Sequence, residues 1–261
     1  MKIALFQLDL VWENAKENQA NIERHLANLE QGTEVVVLPE MFTTGFSMQA
    51  AQNAETMQGD SVAWMKAQAQ KFQILLMGSL VIEDNGQYFN RLLAFAPDGN
   101  LLAKYDKRHL FRMANEHEHY KAGEERIIFK YKGWKICPLI CYDLRFPVWS
   151  RNQDLAYDLL IYVANWPQRR VAHWEALAKA RAIENQCFVA AVNRVGTDGA
   201  AIPYSGSSAI LDFLGNELTQ QAAKEEILYA TLDKNAMEQY RNSFPAWRDA
   251  DHFQMTWNGN L

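Results

Sequence analysis

Short, largely apolar runs set between amphipathic helical patterns are the strongest limit on what this chain can fold into. Residues 35–38, 74–82 and 159–164 are too short for buried helices and present almost no polar face, so they read as strands covered on both sides. Helices must do the covering, and the intervening segments supply them. Residues 14–29 place Ile22, Leu26 and Leu29 on one stripe, with Gly32 positioned to end the helix. A second helix, capped by Asp60 or Ser61, repeats Val62, Met65, Ala69 and Phe72 at helical spacing. Trp174, Leu177, Ala178 and Ala182 face one way on a third, ending near Gln186.

Further strands are expected at 3–8, 187–195, 207–213 and 227–232, the last two joined across Leu214-Gly215-Asn216-Glu217. Two hairpins interrupt the alternation. Residues 88–96 and 101–105 turn at Pro97-Asp98-Gly99-Asn100, and residues 127–131 and 134–140 turn at Lys132-Gly133. Residues 107–123 show neither period and read as an irregular loop. Helices alternating with buried strands and hairpins imply an α/β layered sandwich built on mixed sheets, the number of layers being open. No linker or repeat divides residues 1–261, which read as a single domain.

A net charge of −5 gives no basic field for nucleic acid or an anionic membrane. No apolar run approaches the length needed to span a bilayer. Met1-Lys2-Ile3 enters a strand pattern directly, so no signal peptide is expected. Three cysteines, an odd and sparse count, fit a reducing compartment, and the expected location is cytoplasmic.

Reactive side chains fall at corresponding places. Glu40 follows the run 35–38, Lys107 follows 101–105, and Cys141 follows 136–140. Ligands bind at the carboxyl edge of strands in open α/β sheets. Brought together there, a carboxylate can take the proton of a thiol that attacks a carbonyl or nitrile carbon. An ammonium, with the backbone N–H after the cysteine, can stabilise the resulting charge. Singly, each residue has a plainer reading: Cys141 as packed filler, Glu40 and Lys107 as solvated charges. His109, His117 and His119 with Glu116 and Glu118 lack the H-E-x-x-H spacing of a metal site. Gly206-Ser207-Ser208 lacks the second glycine of a serine elbow, and Cys187 reads as core.

Leu38-Pro39-Glu40-Met41-Phe42, Lys107-Arg108-His109-Leu110-Phe111 and Ile140-Cys141-Tyr142-Asp143-Leu144-Arg145-Phe146-Pro147 resemble the three signature stretches of the nitrilase superfamily of carbon–nitrogen hydrolases, in order and separation. The resemblance runs from Ile3 to about Phe253. It implies a four-layer α-β-β-α sandwich, no metal or cofactor, and a catalytic set of Glu40 as base, Lys107 as oxyanion stabiliser and Cys141 as nucleophile. The superfamily's second glutamate matches Glu116, ahead of Tyr120-Lys121-Ala122-Gly123, with Glu118 as rival.

Within the superfamily the chain is most similar to the ω-amidases, which cleave 2-oxoglutaramate and 2-oxosuccinamate to a 2-oxo acid and ammonia. Arg145 then matches an arginine that handles the substrate carboxylate, although an ion pair with Asp143 or another acid fits the residue chemistry equally. Phe42, Phe46, Tyr142 and Trp166 could wall the substrate pocket or belong to the core. Deaminated glutathione, N-carbamoyl amino acids or a nitrile are alternative substrates, and a catalytically silent interaction protein is the alternative of another class. The resemblance also implies a homodimer, with the aromatic stretch 244–253 a candidate for contacts.

Overall fold

Two β-sheets stack face to face at the centre of the computed structural model, which describes residues 1–219 and 223–255. The first part of the chain runs β1 (Lys2–Gln7), α1 (Ala15–Leu26), β2 (Val35–Val37), α2 (Ala50–Asn53), α3 (Asp60–Phe72), β3 (Leu75–Asp84), β4 (Gln87–Phe95) and β5 (Leu101–Asp106). After α4 (Glu116–His119) come β6 (Phe129–Tyr131), β7 (Trp134–Ile140), α5 (Pro147–Ser150), β8 (Leu159–Ala164) and α6 (Val171–Asn185). The chain continues through β9 (Phe188–Asn193), β10 (Val195–Thr197), β11 (Pro203–Ser205), β12 (Ala209–Leu211), β13 (Glu226–Thr231) and α7 (Lys234–Ser243). One sheet has the order β13-β1-β2-β3-β4-β5, the other β12-β9-β8-β7-β6, and β10 and β11 form a separate ribbon.

Alternation along the strands decides which layer each residue joins. In the first sheet Ile3, Leu5, Val35, Val37, Leu75 and Met77 point inward, into a core shared with β7, β8 and β9. Their neighbours Ala4, Phe6, Val36 and Leu76 point outward, against Ile22 and Leu26 of α1 and Val62, Met65 and Ala69 of α3. On the far side, Trp174, Ala178 and Ala182 of α6 and Met237 of α7 cover the second sheet. The result is four layers, α-β-β-α, and burial of each large apolar side chain contributes about 1.5–3 kcal/mol.

Several elements differ from expectation for local reasons. Helix α1 stops at Leu26, well before Gly32, and begins after Asn14, whose side chain accepts the Glu17 N–H at 3.2 Å. Helix α3 takes no side-chain cap from its own first residues; Glu55 accepts the Ser61 N–H instead, at 2.8 Å. Residues 107–123 hold a 3₁₀ turn, Arg112–Ala114, and the single turn α4, both too short to leave a period. The run 187–195 divides into β9 and β10, and 207–213 is ordered as strand only over Ala209–Leu211. That segment and 227–232 are not paired with each other. β12 lies antiparallel to β9 and β13 antiparallel to β1, in different sheets. The turn at 212–216 merely folds Glu217 back onto Leu211 before the chain crosses over.

Candidate active site

Glu40 lies in the turn after β2 and Lys107 directly after β5, at the same edge of the first sheet; Cys141 follows β7 in the second. These strands are not neighbours. The three residues meet because the sheets face each other with those edges aligned. Cys141 opens a 3₁₀ turn, Cys141–Arg145, at φ +44°. That region is costly for a residue with a Cβ and persists only where the surroundings impose it.

Buried Asp143 supplies the constraint. Its carboxylate accepts the Ile140 N–H at 3.0 Å, the Tyr105 hydroxyl at 2.7 Å, the His109 N–H at 2.9 Å and the His109 Nδ1 at 2.8 Å. One side chain thus ties the elbow to the segments on both sides of Lys107. Asp143 makes no pair with Arg145, whose Nη2 donates to His173 Nδ1 at 3.0 Å.

Lys107 Nζ donates to Glu40 Oε1 at 2.9 Å and to Glu116 Oε1 and Oε2 at 2.9 and 3.0 Å, all three side chains being fully buried. Burial alone would strip the ammonium of its proton, but the charges of Glu116 and then Glu40 outweigh it and hold Lys107 above its usual range. Burial lifts the Glu116 carboxyl, against the pull of Lys107, and the charge of Glu40 adds to the lift. Two further groups fix Glu40: Asn90 Nδ2 donates to Oε1 at 2.7 Å, and the Asn165 N–H to Oε2 at 2.8 Å. Asn165 Nδ2 also holds the Glu40 backbone carbonyl, at 2.6 Å.

Burial, then the charge of Glu40, pushes the Cys141 thiol well above its ordinary range, so it rests protonated with the Glu40 carboxylate nearby. Its Sγ also lies 3.9 Å from the Asn165 carbonyl oxygen. Cys137 is likewise pushed up, to about 12, and Cys187 upward as well, both by burial in the core. Of the three, Cys141 has a carboxylate in place to accept its proton.

A cavity of about 560 Å³ opens over Cys141, walled by Phe46, Tyr142, Trp166 and Phe111, with Arg145 and Arg170 on its side. The Lys107 ammonium lies 4.9 Å from the Phe46 ring centroid, and the Arg145 guanidinium 4.9 Å from that of Trp166. Phe42 is not part of this wall. Met41 adopts φ +45°, and Phe42 turns into the outer core against Trp64, their rings 5.8 Å apart. Glu118 is exposed on the outer side of α4, whereas Glu116 faces Lys107.

Among the described residues no cluster of three or more His, Cys, Asp or Glu is arranged to hold a metal. Ser207 donates to Glu175 on the exposed side of α6 and Ser208 to the Asn193 carbonyl. Sequence reasoning passed over Asn90 and Asn165, and considered Asp143 only as a partner for Arg145. Asn165 had a signal, standing just past the carboxyl end of β8 as Cys141 does past β7; Asn90, within β4, had none.

A thiol, a carboxylate and an ammonium in this arrangement can carry out attack on an acyl carbon, proton transfer and charge stabilisation in one enclosed space. Residues 2–242 match the carbon–nitrogen hydrolase family model. The chain is 48% identical over 256 residues to the omega-amidase YafV of Escherichia coli K12, covering 98% of each. It is 34% identical over 250 residues to the 2-oxoglutaramate amidase of Bacillus subtilis, covering 95% of this chain and 96% of that one. A crystal structure of a CN-hydrolase superfamily protein of Xanthomonas campestris, with an arsenic adduct in its active site, superimposes with a TM-score of 0.95 at 44% identity, covering 98% of this chain and 99% of that one.

Proposed function

Because the chain belongs to the carbon–nitrogen hydrolase family, we propose that it is an ω-amidase, cleaving the terminal amide of 2-oxoglutaramate or 2-oxosuccinamate to the 2-oxo acid and ammonia. The observation that carries this reading is the buried set of Glu40, Lys107, Glu116 and Cys141 beneath a cavity that also presents Arg145. Its support is likeness to the omega-amidase and 2-oxoglutaramate amidase relatives.

Cys141 Sγ attacks the amide carbon while Glu40 takes the thiol proton. The charge that develops on the amide oxygen is met by Lys107 and by the Tyr142 backbone N–H, and loss of one donor of this kind costs about 3–4 kcal/mol. Glu40 returns the proton to the leaving nitrogen, and the C–N bond breaks to give ammonia and a thioester. Water, deprotonated by the same carboxylate, cleaves the thioester and restores the thiol. Glu116 holds Lys107 in place and charged. Arg145 takes the substrate carboxylate through its planar fork, and Phe46, Tyr142 and Trp166 enclose the carbon chain.

Ammonia release from 2-oxoglutaramate tests the assignment. The native enzyme should produce it and Cys141→Ala should not; equal release from both would rule out the thioester route. The same reading takes the protein to act in the cytoplasm as a homodimer. Among the described residues no helix is long and apolar enough to cross a membrane. Val148 on α5 and Phe244 after α7 are 52% and 57% exposed, which suits a contact between copies. Sedimentation at micromolar concentration should give twice the chain mass, and a monomer would remove the dimer.

A further inference from the structure

Three arginines line the cavity above Cys141, Arg145, Arg169 and Arg170, and among the described residues none of them is held in an ion pair. The arginines in ion pairs among the described residues are Arg91, Arg181, Arg194 and Arg241; of the three at the cavity, Arg169 is exposed, whereas Arg145 and Arg170 are half-buried. One indole positions both. The Trp166 ring lies beneath Arg145, 4.9 Å from centroid to guanidinium carbon, and its Nε1 donates to the Arg170 carbonyl at 2.8 Å. The Arg170 guanidinium lies 5.1 Å from the Phe111 ring centroid. The Phe111 N–H in turn donates to Glu116 Oε2 at 2.5 Å, so this second platform is anchored to the partner of Lys107.

The acids that also line the cavity, Glu13 and Asp198, accept hydrogen bonds from other groups. Glu13 Oε1 accepts Ser47 Oγ at 2.5 Å and Asn53 Nδ2 at 3.1 Å. Asp198 Oδ1 accepts the Ala200 and Ile202 N–H groups, each at 2.9 Å, and Oδ2 accepts the Tyr204 hydroxyl at 2.8 Å. Burial, together with the charges of Arg169 and Arg145, makes the positive charge on Arg170 costly until an anion arrives.

We propose that Arg170 is a specificity-determining residue that, with Arg145, grips the 2-oxo-acid end of the substrate and rejects the 2-amino acid of the same length; this rests on the ω-amidase reading. A 2-oxo acid offers only acceptors, two carboxylate oxygens and a carbonyl oxygen, to two groups that only donate. The 2-amino acid replaces that carbonyl oxygen with an ammonium, which meets the like charges of Arg145 and Arg170. An anion between the arginines relieves their mutual repulsion; a zwitterion restores much of it. Free glutamine is thereby spared although its terminal amide is the same.

The test compares the native enzyme with Arg170→Gln and Arg170→Lys on 2-oxoglutaramate, L-glutamine and butyramide, with inhibition of butyramide hydrolysis by glutarate as a second readout. In Arg170→Gln, kcat/KM for 2-oxoglutaramate should fall by about tenfold or more beyond any fall for butyramide, mainly through KM. The preference for 2-oxoglutaramate over L-glutamine should narrow by a similar factor and the glutarate inhibition constant should rise, with Arg170→Lys recovering part of each. Equal losses on all three substrates, or an unchanged preference, overturn the proposal. If the native enzyme hydrolyses butyramide but not 2-oxoglutaramate, the ω-amidase reading fails. The glutarate constant then decides the anion grip alone, and an unchanged value in Arg170→Gln overturns it.

Discussion

The Cys141 sulfur spends its resting life as a thiol, and this sets how its reactivity depends on pH. Burial and the neighbouring Glu40 charge raise it, and burial also raises Cys137 and Cys187. Raised values keep the proton on as pH increases through the neutral range. The native protein should therefore gain no thiolate absorbance at 240 nm between pH 6 and 9, and a step near 8 would contradict the site as described. Glu116→Gln keeps a side chain of the same shape but removes one of the two charges that hold the Lys107 ammonium. With that support to the oxyanion gone, kcat should fall by roughly 10²-fold while KM changes little. Glu40, Lys107 and Cys141 were legible in the sequence because each follows a clear strand pattern and stands in a stretch that resembles a family signature. Phe42 was not, because the left-handed turn at Met41 reverses the direction in which the next side chain points.

At the scale of elements, the stretch between β5 and β6 presents Lys107 and Glu116 to each other, and Gly123 closes it. The Gly123 N–H donates to the Lys107 carbonyl at 2.9 Å, and a Cβ there would come within 2.2 Å of the Asp106 carbonyl oxygen. Gly123→Ala should displace Lys107 and lower kcat with little change in Tm; normal kcat would show that the loop adapts. Helix α7 is latched to the second sheet by Asp158, which accepts from Arg241 Nη1 at 2.9 Å and Lys234 Nζ at 3.0 Å. Breaking this pair with Arg241→Ala should cost about 3–5 kcal/mol in urea unfolding.

Burial tends to raise the Asp158 carboxyl, but the Lys135 N–H, Lys234 and Arg241 together hold it below 3.8. A carboxyl depressed on folding stabilises above its unfolded value, and that contribution is lost as pH falls through its folded value. The stability gap between the native protein and Asp158→Asn should thus be full at neutral pH and close below about pH 4. Glu116 was legible only through the family resemblance, and the Asp158 latch was not legible at all. One-turn helices leave no period, and a latch between residues far apart in the chain leaves no local mark.

Across the whole molecule, the layered α/β architecture could be read from buried strands alternating with helices, but the partition into two sheets could not. Continuous apolar runs say that both faces are covered without saying by what. Val35–Val37 is covered by helices on one side and by the other sheet on its other side, and its three residues look the same either way. Cys141 comes from one sheet and Glu40 from the other, and Asn165 spans the join by holding Glu40 through both main chain and side chain. Hydrolysis is therefore a gauge of how the two halves are seated. A slip of about one ångström, too small to disturb helix content, separates sulfur from carboxylate and can cost on the order of 10²-fold in turnover. Under rising urea, ammonia production should fade at a lower concentration than the far-ultraviolet signal, an early warning that the seam has moved before either half has melted.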